Sequence, residues 1–257
     1  MSAKKIEQFI CRSDNFGILI HDPESRATIA IDAPDAYAMA LVLEAHDWQL
    51  TDILLTHHHE DHVAGVEALR LRYPAKLWGH EKDAHRLPRL DHVVQAGQEF
   101  SLAGEIVQVI ATPGHTSGQV AYYFPGLEAL FAADCLFSLG CGRLFEGTAE
   151  DMWPVLDHLR KLPGDTKLYC GHEYTQANAK FALHVEPGNQ ALQKRAKEVE
   201  ALRQANLMTL PSLLSDECAQ NPFLRPESPE IRKYFGLENA DNAAVFKALR
   251  EAKDQFR

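Results

Sequence analysis

The 257-residue chain is long enough for one large domain, or for one domain with a smaller companion. Its 46% hydrophobic content supports a sizeable core, and a formal net charge of −10 argues against a general nucleic-acid or membrane-surface binder, which would carry basic faces. Five widely spaced cysteines (Cys11, Cys135, Cys141, Cys170 and Cys218) form no CxxC pair, which fits a reducing compartment better than a disulfide scaffold.

In chain order, the N-terminal stretch MSAKKIEQFICRSDNFGILI has no long apolar leader core, and no later stretch approaches a membrane span. A soluble, cytoplasmic monomer is the expectation. Short apolar runs of strand length and β-type composition follow at 16–20, 27–31, 52–55, 75–79, 106–110, 120–124, 129–133 and 166–170. Helix-like segments lie between them. Residues 35–48 follow Pro34 with Asp35 as a cap, 64–73 carry one apolar face, and 149–162 end before Pro163. Beyond about residue 173 the texture turns helical. Residues 189–206 place Leu192, Ala196, Val199 and Leu202 on one stripe, and 242–256 form a last helix. The expected organisation is a strand-rich α/β domain over 1–173 and a helical domain over 174–257.

Four of the apolar runs end in metal-ligand residue types. The run at 52–55 leads into THHHEDH, with His57, His59, Asp61 and His62; later runs lead to His115, Asp134 and His172. Ligands at corresponding ends of neighbouring strands converge on one sheet edge, so these five histidines and two aspartates are expected to meet. One zinc-like ion takes about four ligands, so seven suit two ions. The HxHxDH spacing assigns His57, His59 and His115 to the first and Asp61, His62 and His172 to the second, with Asp134 as the bridge. Such a pair activates a shared water near neutral pH. His58 and Glu60 alternate with the ligands and face away. Asp32 is a candidate partner for a ligand histidine, or else a turn residue in DAPD. The segment HEKDAH (80–85) looks like a zincin motif, but its histidines are five apart, and Lys82 and Asp83 suit a solvated surface.

THHHEDH, TPGHTSG (112–118), AADCLF (132–137) and GHEYT (171–175) resemble the metallo-β-lactamase superfamily. With CGRLFEG (141–147), NPFLR (221–225) and LREAKDQF (249–256), the chain is similar, nearly end to end, to the glyoxalase II family of hydroxyacylglutathione hydrolases. The resemblance implies a four-layer αβ/βα sandwich with a smaller C-terminal helical domain. It also implies hydrolysis of S-D-lactoylglutathione to D-lactate and glutathione, in methylglyoxal detoxification. Two divalent ions would serve it, zinc first, with iron or manganese as alternatives. Asp134 and Asp61 would take the catalytic roles. Glutathione would be held by Arg143, Tyr174, Arg250 and Lys253, the arginines and the lysine being suited to its two carboxylates. The family often has Tyr where this chain has Phe145, and Trp or His where it has Glu60. Rival readings are a mononuclear-iron glutathione persulfide dioxygenase, a β-lactamase and a non-catalytic metal-binding module.

Overall fold

The computed structural model describes residues 3–256, and its strands form wherever β-branched and aromatic residues cluster. β1 (Lys5–Cys11), β2 (Asn15–His21) and β3 (Ala27–Ile31) pair antiparallel, with Ile18 opposite Ile31. The chain then rises through α1 (Ala36–Ala45), whose N-terminus is capped as expected: Asp35 Oδ1 accepts from the Tyr37 and Ala38 amides. It returns as β4 (Gln49–Leu54), parallel to β3. Two short helices, α2 (Glu60–Val63) and α3 (Val66–Arg72), precede β5 (Lys76–His80) and β6 (His92–Val94), which extend the parallel half of this six-stranded sheet.

The core of this sheet is made by the alternate residues that its strands turn inward. Leu19, Ala30, Leu50, Ile53, Leu55 and Leu77 are fully buried against Met39 and Leu43 of α1 and Leu69 of α3. Parallel strands covered by helices read as unbroken apolar runs, which is why ATIAI and DILL stand out in the sequence. A second, antiparallel ladder follows: β7 (Glu99–Leu102), β8 (Glu105–Ala111), β9 (Val120–Phe124) and the start of β10 (Ala129–Ala133). Tyr122 donates its hydroxyl to the Leu55 carbonyl, and the Val120 amide donates to Thr56, so β9 is fastened to the segment leaving β4.

The residues up to Ala111, with Ser117–Phe131, form one compact unit; Thr112–Thr116 and everything from Ala132 onward form the other. The second unit contains a two-stranded hairpin, β11 (Leu136–Phe137) with β12 (Gly140–Cys141), and the antiparallel pair β13 (Lys167–Cys170) and β14 (Ser212–Leu213). Its helices are α4 (Ala149–Leu159), α5 (Thr175–Val185), α6 (Gln190–Gln204), α7 (Leu214–Gln220), α8 (Pro229–Phe235) and α9 (Asn242–Gln255). Leu192 and Val199 of the expected α6 stripe are buried, and Leu192 packs with Ala179, Ala182 and Leu139. α9 buries Val245, Phe246 and Leu249, with Phe246 edge-on to Phe223.

The hairpin is held by a buried carboxylate. Glu217 accepts from Ser138 Oγ and the Leu139 amide, while Asn221 donates to the Phe137 and Gly140 carbonyls. Burial pushes the Glu217 carboxyl above its ordinary value, even with these donors around it. All five cysteines are free thiols, and all but Cys218 are buried. Burial pushes Cys11 up to about 12 and Cys141 up to about 11, and raises Cys135 and Cys170 as well. Among the described residues, no helix is long and apolar enough to cross a membrane.

Candidate metal centre

In the first unit, the end of β4 delivers the histidine loop. His57, His59 and His62 gather with ring centroids 4.7 Å (His57–His59) and 4.2 Å (His57–His62) apart. Ligand-type atoms of Asp32, His57 and His62 all lie within 4.8 Å of one another. Asp32 sits in the left-handed region, with φ 59, at the end of β3. That unusual backbone for a non-glycine residue aims its carboxylate back into the loop. It accepts from the Thr56 amide at 2.7 Å and from the Thr56 hydroxyl at 2.8 Å. His62 Nδ1 lies 2.7 Å from Asp32 Oδ2, the oxygen that also takes the Thr56 hydroxyl.

These partners select the imidazole tautomers. A carboxylate beside His62 Nδ1 keeps the proton there, which leaves Nε2 with its lone pair. The Thr56 hydroxyl, spent on Asp32, accepts from His57 Nδ1 at 3.0 Å, with the same result for His57. Asn15 Nδ2 donates at 3.1 Å to both the side chain and the carbonyl of Asp61, fixing that carboxylate. Glu60 points away and pairs with Arg12 at 3.0 Å, and His58 turns toward Asp83.

In the second unit, His115, Asp134 and His172 form a row. Asp134 Oδ2 lies 3.5 Å from His115 Nε2 and 3.4 Å from His172 Nε2. His115 Nδ1 donates to the Arg143 carbonyl at 2.9 Å, so its Nε2 turns a lone pair toward the carboxylate. One carboxylate oxygen set between two imidazole nitrogens is a donor set for cations, and it suits divalent metal. The backbone is shaped for it. Ala133 takes φ 42 just before Asp134, and a Cβ on Gly142 would lie 1.9 Å from the Asp134 carbonyl.

The residues expected to hold glutathione also lie in this unit, in contrasting surroundings. Arg143 is open to solvent, with its side chain 66% exposed. Arg250 is only 4% exposed; it donates to the Cys141 carbonyl at 2.7 Å and to Asp254 at 2.9 Å, and stacks over Phe223. Arg143 Nε lies 3.8 Å from the same Asp254 oxygen. Lys253 reaches over the Phe181 and Phe256 rings. Burial, then Arg250 and Arg143, hold its ammonium below the ordinary lysine value, so three cations share one field around a single aspartate. Tyr174 stacks face to face on His172 at 4.7 Å, and Phe145 tilts over His115 at 5.1 Å. Sequence reasoning missed Thr56 and Asn15. Thr56, directly before the HxHxDH run, was the legible signal; nothing local marks Asn15.

Two family models match the chain: the metallo-beta-lactamase superfamily over residues 25–172, and the hydroxyacylglutathione hydrolase C-terminus over 173–256. Relatives from Brucella ovis and Brucella melitensis, each called hydroxyacylglutathione hydrolase, are 52% identical over 98% of this chain and 98% of theirs. Among solved structures, the BLEG-1 B3 metallo-beta-lactamase has a TM-score of 0.67 at 20% identity, covering 86% of this chain and 99% of its own. ETHE1 from Myxococcus xanthus has a TM-score of 0.66 at 24% identity, over 98% and 100%. TTHA1623, solved in a di-iron-bound form, has a TM-score of 0.55 at 25% identity, over 65% and 91%. The chain has the metallo-β-lactamase α/β fold with a C-terminal helical region, and it belongs to the hydroxyacylglutathione hydrolase family.

Proposed function

We propose that the chain is a dinuclear metal-dependent thioester hydrolase that cleaves S-D-lactoylglutathione to D-lactate and glutathione, and so serves methylglyoxal detoxification. The observation that carries the metal reading is the row in which Asp134 Oδ2 stands 3.4–3.5 Å from two imidazole nitrogens. His57, His59 and His115 would hold one ion, Asp61, His62 and His172 the other, and Asp134 both. When bound, divalent ions supply Lewis acidity to a thioester carbonyl and lower the pKa of water. The di-iron form of TTHA1623 supports a pair of ions; zinc, iron and manganese all suit His/Asp donors.

The chain's own groups do the rest. Asp32 and Thr56 hold His62 and His57 in the tautomers that offer Nε2 outward. Asn15 orients Asp61. Arg143, Arg250 and Lys253 provide the positive field for glutathione carboxylates in a protein of net charge −10. Tyr174, stacked on His172, offers a hydroxyl to the peptide, while Phe145 offers only a ring face. In this reading residues 1–173 are the catalytic domain and 174–257 bind substrate, as the meeting of the two family matches at 172/173 supports. Free thiols support a reducing, cytoplasmic setting.

The test is a steady-state assay with S-D-lactoylglutathione alongside elemental analysis. The expected result is two metal ions per chain and thioester cleavage that disappears on chelation and returns with metal. One iron per chain with oxygen uptake, or full activity in metal-free protein, would overturn the reading.

A further inference from the structure

The HEKDAH segment is a second concentration of titratable groups, and the structure leaves only part of it on a solvated surface. Lys82 is exposed, but Asp83 is 1% exposed. Burial of a carboxylate without donors would be strongly unfavourable, and the contacts show what fills that need. Arg86 Nη2 lies 2.5 Å from Asp83 Oδ1, and His58 Nδ1 lies 3.3 Å from Oδ2. The segment turns back on itself through Arg86 and Leu87 amides bonded to the Asp83 carbonyl, and Leu87 and Leu90 anchor it in the core under the first sheet. On its other side it meets the turn Ser117–Gly118. His80 Nδ1 donates to the Gly118 carbonyl at 2.9 Å, and Arg86 reaches the Ser117 hydroxyl at 3.3 Å. A Cβ on Gly118 would lie 2.0 Å from Asp83 Oδ1, so only glycine lets the turn approach the acid.

We propose that Asp83 is a positioning residue for the histidine loop, acting through His58. This rests on the proposed ligand roles of His57 and His59. His58 stands between them in the chain, its ring 4.9 Å from that of His59 and 6.4 Å from that of His57, so whatever fixes the His58 ring also fixes the backbone it shares with them and the rings it packs beside. Asp32 and Thr56 grip the loop at His57 and His62; Asp83, held by Arg86, grips it at His58. The bland alternative is a buried ion pair that stabilises the fold and leaves the ligands' aim unchanged.

The experiment compares the parent chain with Asp83→Asn, His58→Ala and the double variant. Zinc affinity is measured by competition with a chromogenic chelator, and the unfolding midpoint is measured on metal-free protein. Outer partners of metal ligands typically change affinity about 10–100-fold. The expected result is a loss of that size in both single variants. The double variant should be no weaker than the weaker single one, because both act through one contact. His58→Ala keeps the ion pair with Arg86 and should hold the metal-free midpoint near that of the parent. Parental zinc affinity in His58→Ala would overturn the proposal, as would losses that add in the double variant. A parent chain that binds no zinc would overturn the ligand assignment and this inference with it, whereas a parent that binds two ions leaves the variants to decide this inference alone.

Discussion

The histidine loop at 56–62 stands out in the sequence, the cation cluster of Arg143, Arg250 and Lys253 is marked only by the family resemblance, and the two are built in opposite ways. The loop is contiguous: ligand types surround His58 and Glu60, and the structure turns Glu60 to Arg12 and His58 to Asp83. The cluster is assembled across more than a hundred positions, and its members do not share an environment. Arg143 is largely exposed, while Arg250 is buried and already donates to Cys141 and Asp254. A contiguous cluster can be read from a sequence because its members share one short stretch of backbone. Whether a helix-face cation is a free clamp or a structural strut depends on what packs over it.

Substitutions can break or sharpen this contrast. The largest effect is expected from Asp134→Ala, which removes the oxygen between His115 and His172. Turnover should fall at least about a hundredfold and bound metal with it, as elemental analysis would show. Next come the two arginines. Arg250→Ala should raise KM roughly ten- to hundredfold and also lower Tm by roughly 4–8 °C, since buried charge-assisted hydrogen bonds are lost. Arg143→Ala should raise KM while leaving Tm alone. Equal thermal shifts in both would erase the distinction between strut and clamp.

Smaller effects test the helical scaffold behind the cluster. Glu186 is buried; burial pushes its carboxyl up, and hydrogen bonds from Arg225, Asn189 and Ser228 outweigh this, leaving it below the ordinary glutamate value. A folded-state value below the unfolded one adds stability above the ordinary glutamate range, and that stability is lost as pH falls through the folded value. Glu186→Gln should therefore lower the unfolding free energy measured in urea by roughly 2 kcal/mol at pH 7, with the deficit shrinking below about pH 4.5. The smallest effect is Thr148→Ala. Thr148 and Asp151 form a capping box on α4, and its loss should remove about 1 kcal/mol with KM unchanged.

The runs ATIAI, VAYYF and ALFAA match β3, β9 and β10 residue for residue, because strands covered on both faces carry uninterrupted apolar side chains. Helices α6 and α9 were legible, α6 from its helix-forming composition and apolar stripe. β1 was not, since an edge strand with polar residues such as Lys5, Glu7 and Gln8 lacks that signature. The hairpin at 136–141 was hidden because buried partners 80 residues away, Glu217 and Asn221, hold it. Asp83 shows the same limit: a charged residue in a charged segment reads as solvated, and only the arrival of His58, Arg86 and Gly118 makes it interior. Asp32 was readable as a partner for a histidine; that the histidine is His62 was not.

The deep placement of the thiols bears on the product. Releasing glutathione exposes the enzyme to a pool of small thiols and their disulfides, and exchange with such a pool proceeds through thiolate anions. Cys11 at about 12 and Cys141 at about 11 stay protonated at physiological pH, and the raised Cys135 and Cys170 do likewise. Those four thiols are thereby made poor acceptors for the very sulfur compound the enzyme generates, which leaves Cys218, the one thiol that is not buried, as the place where such exchange would begin.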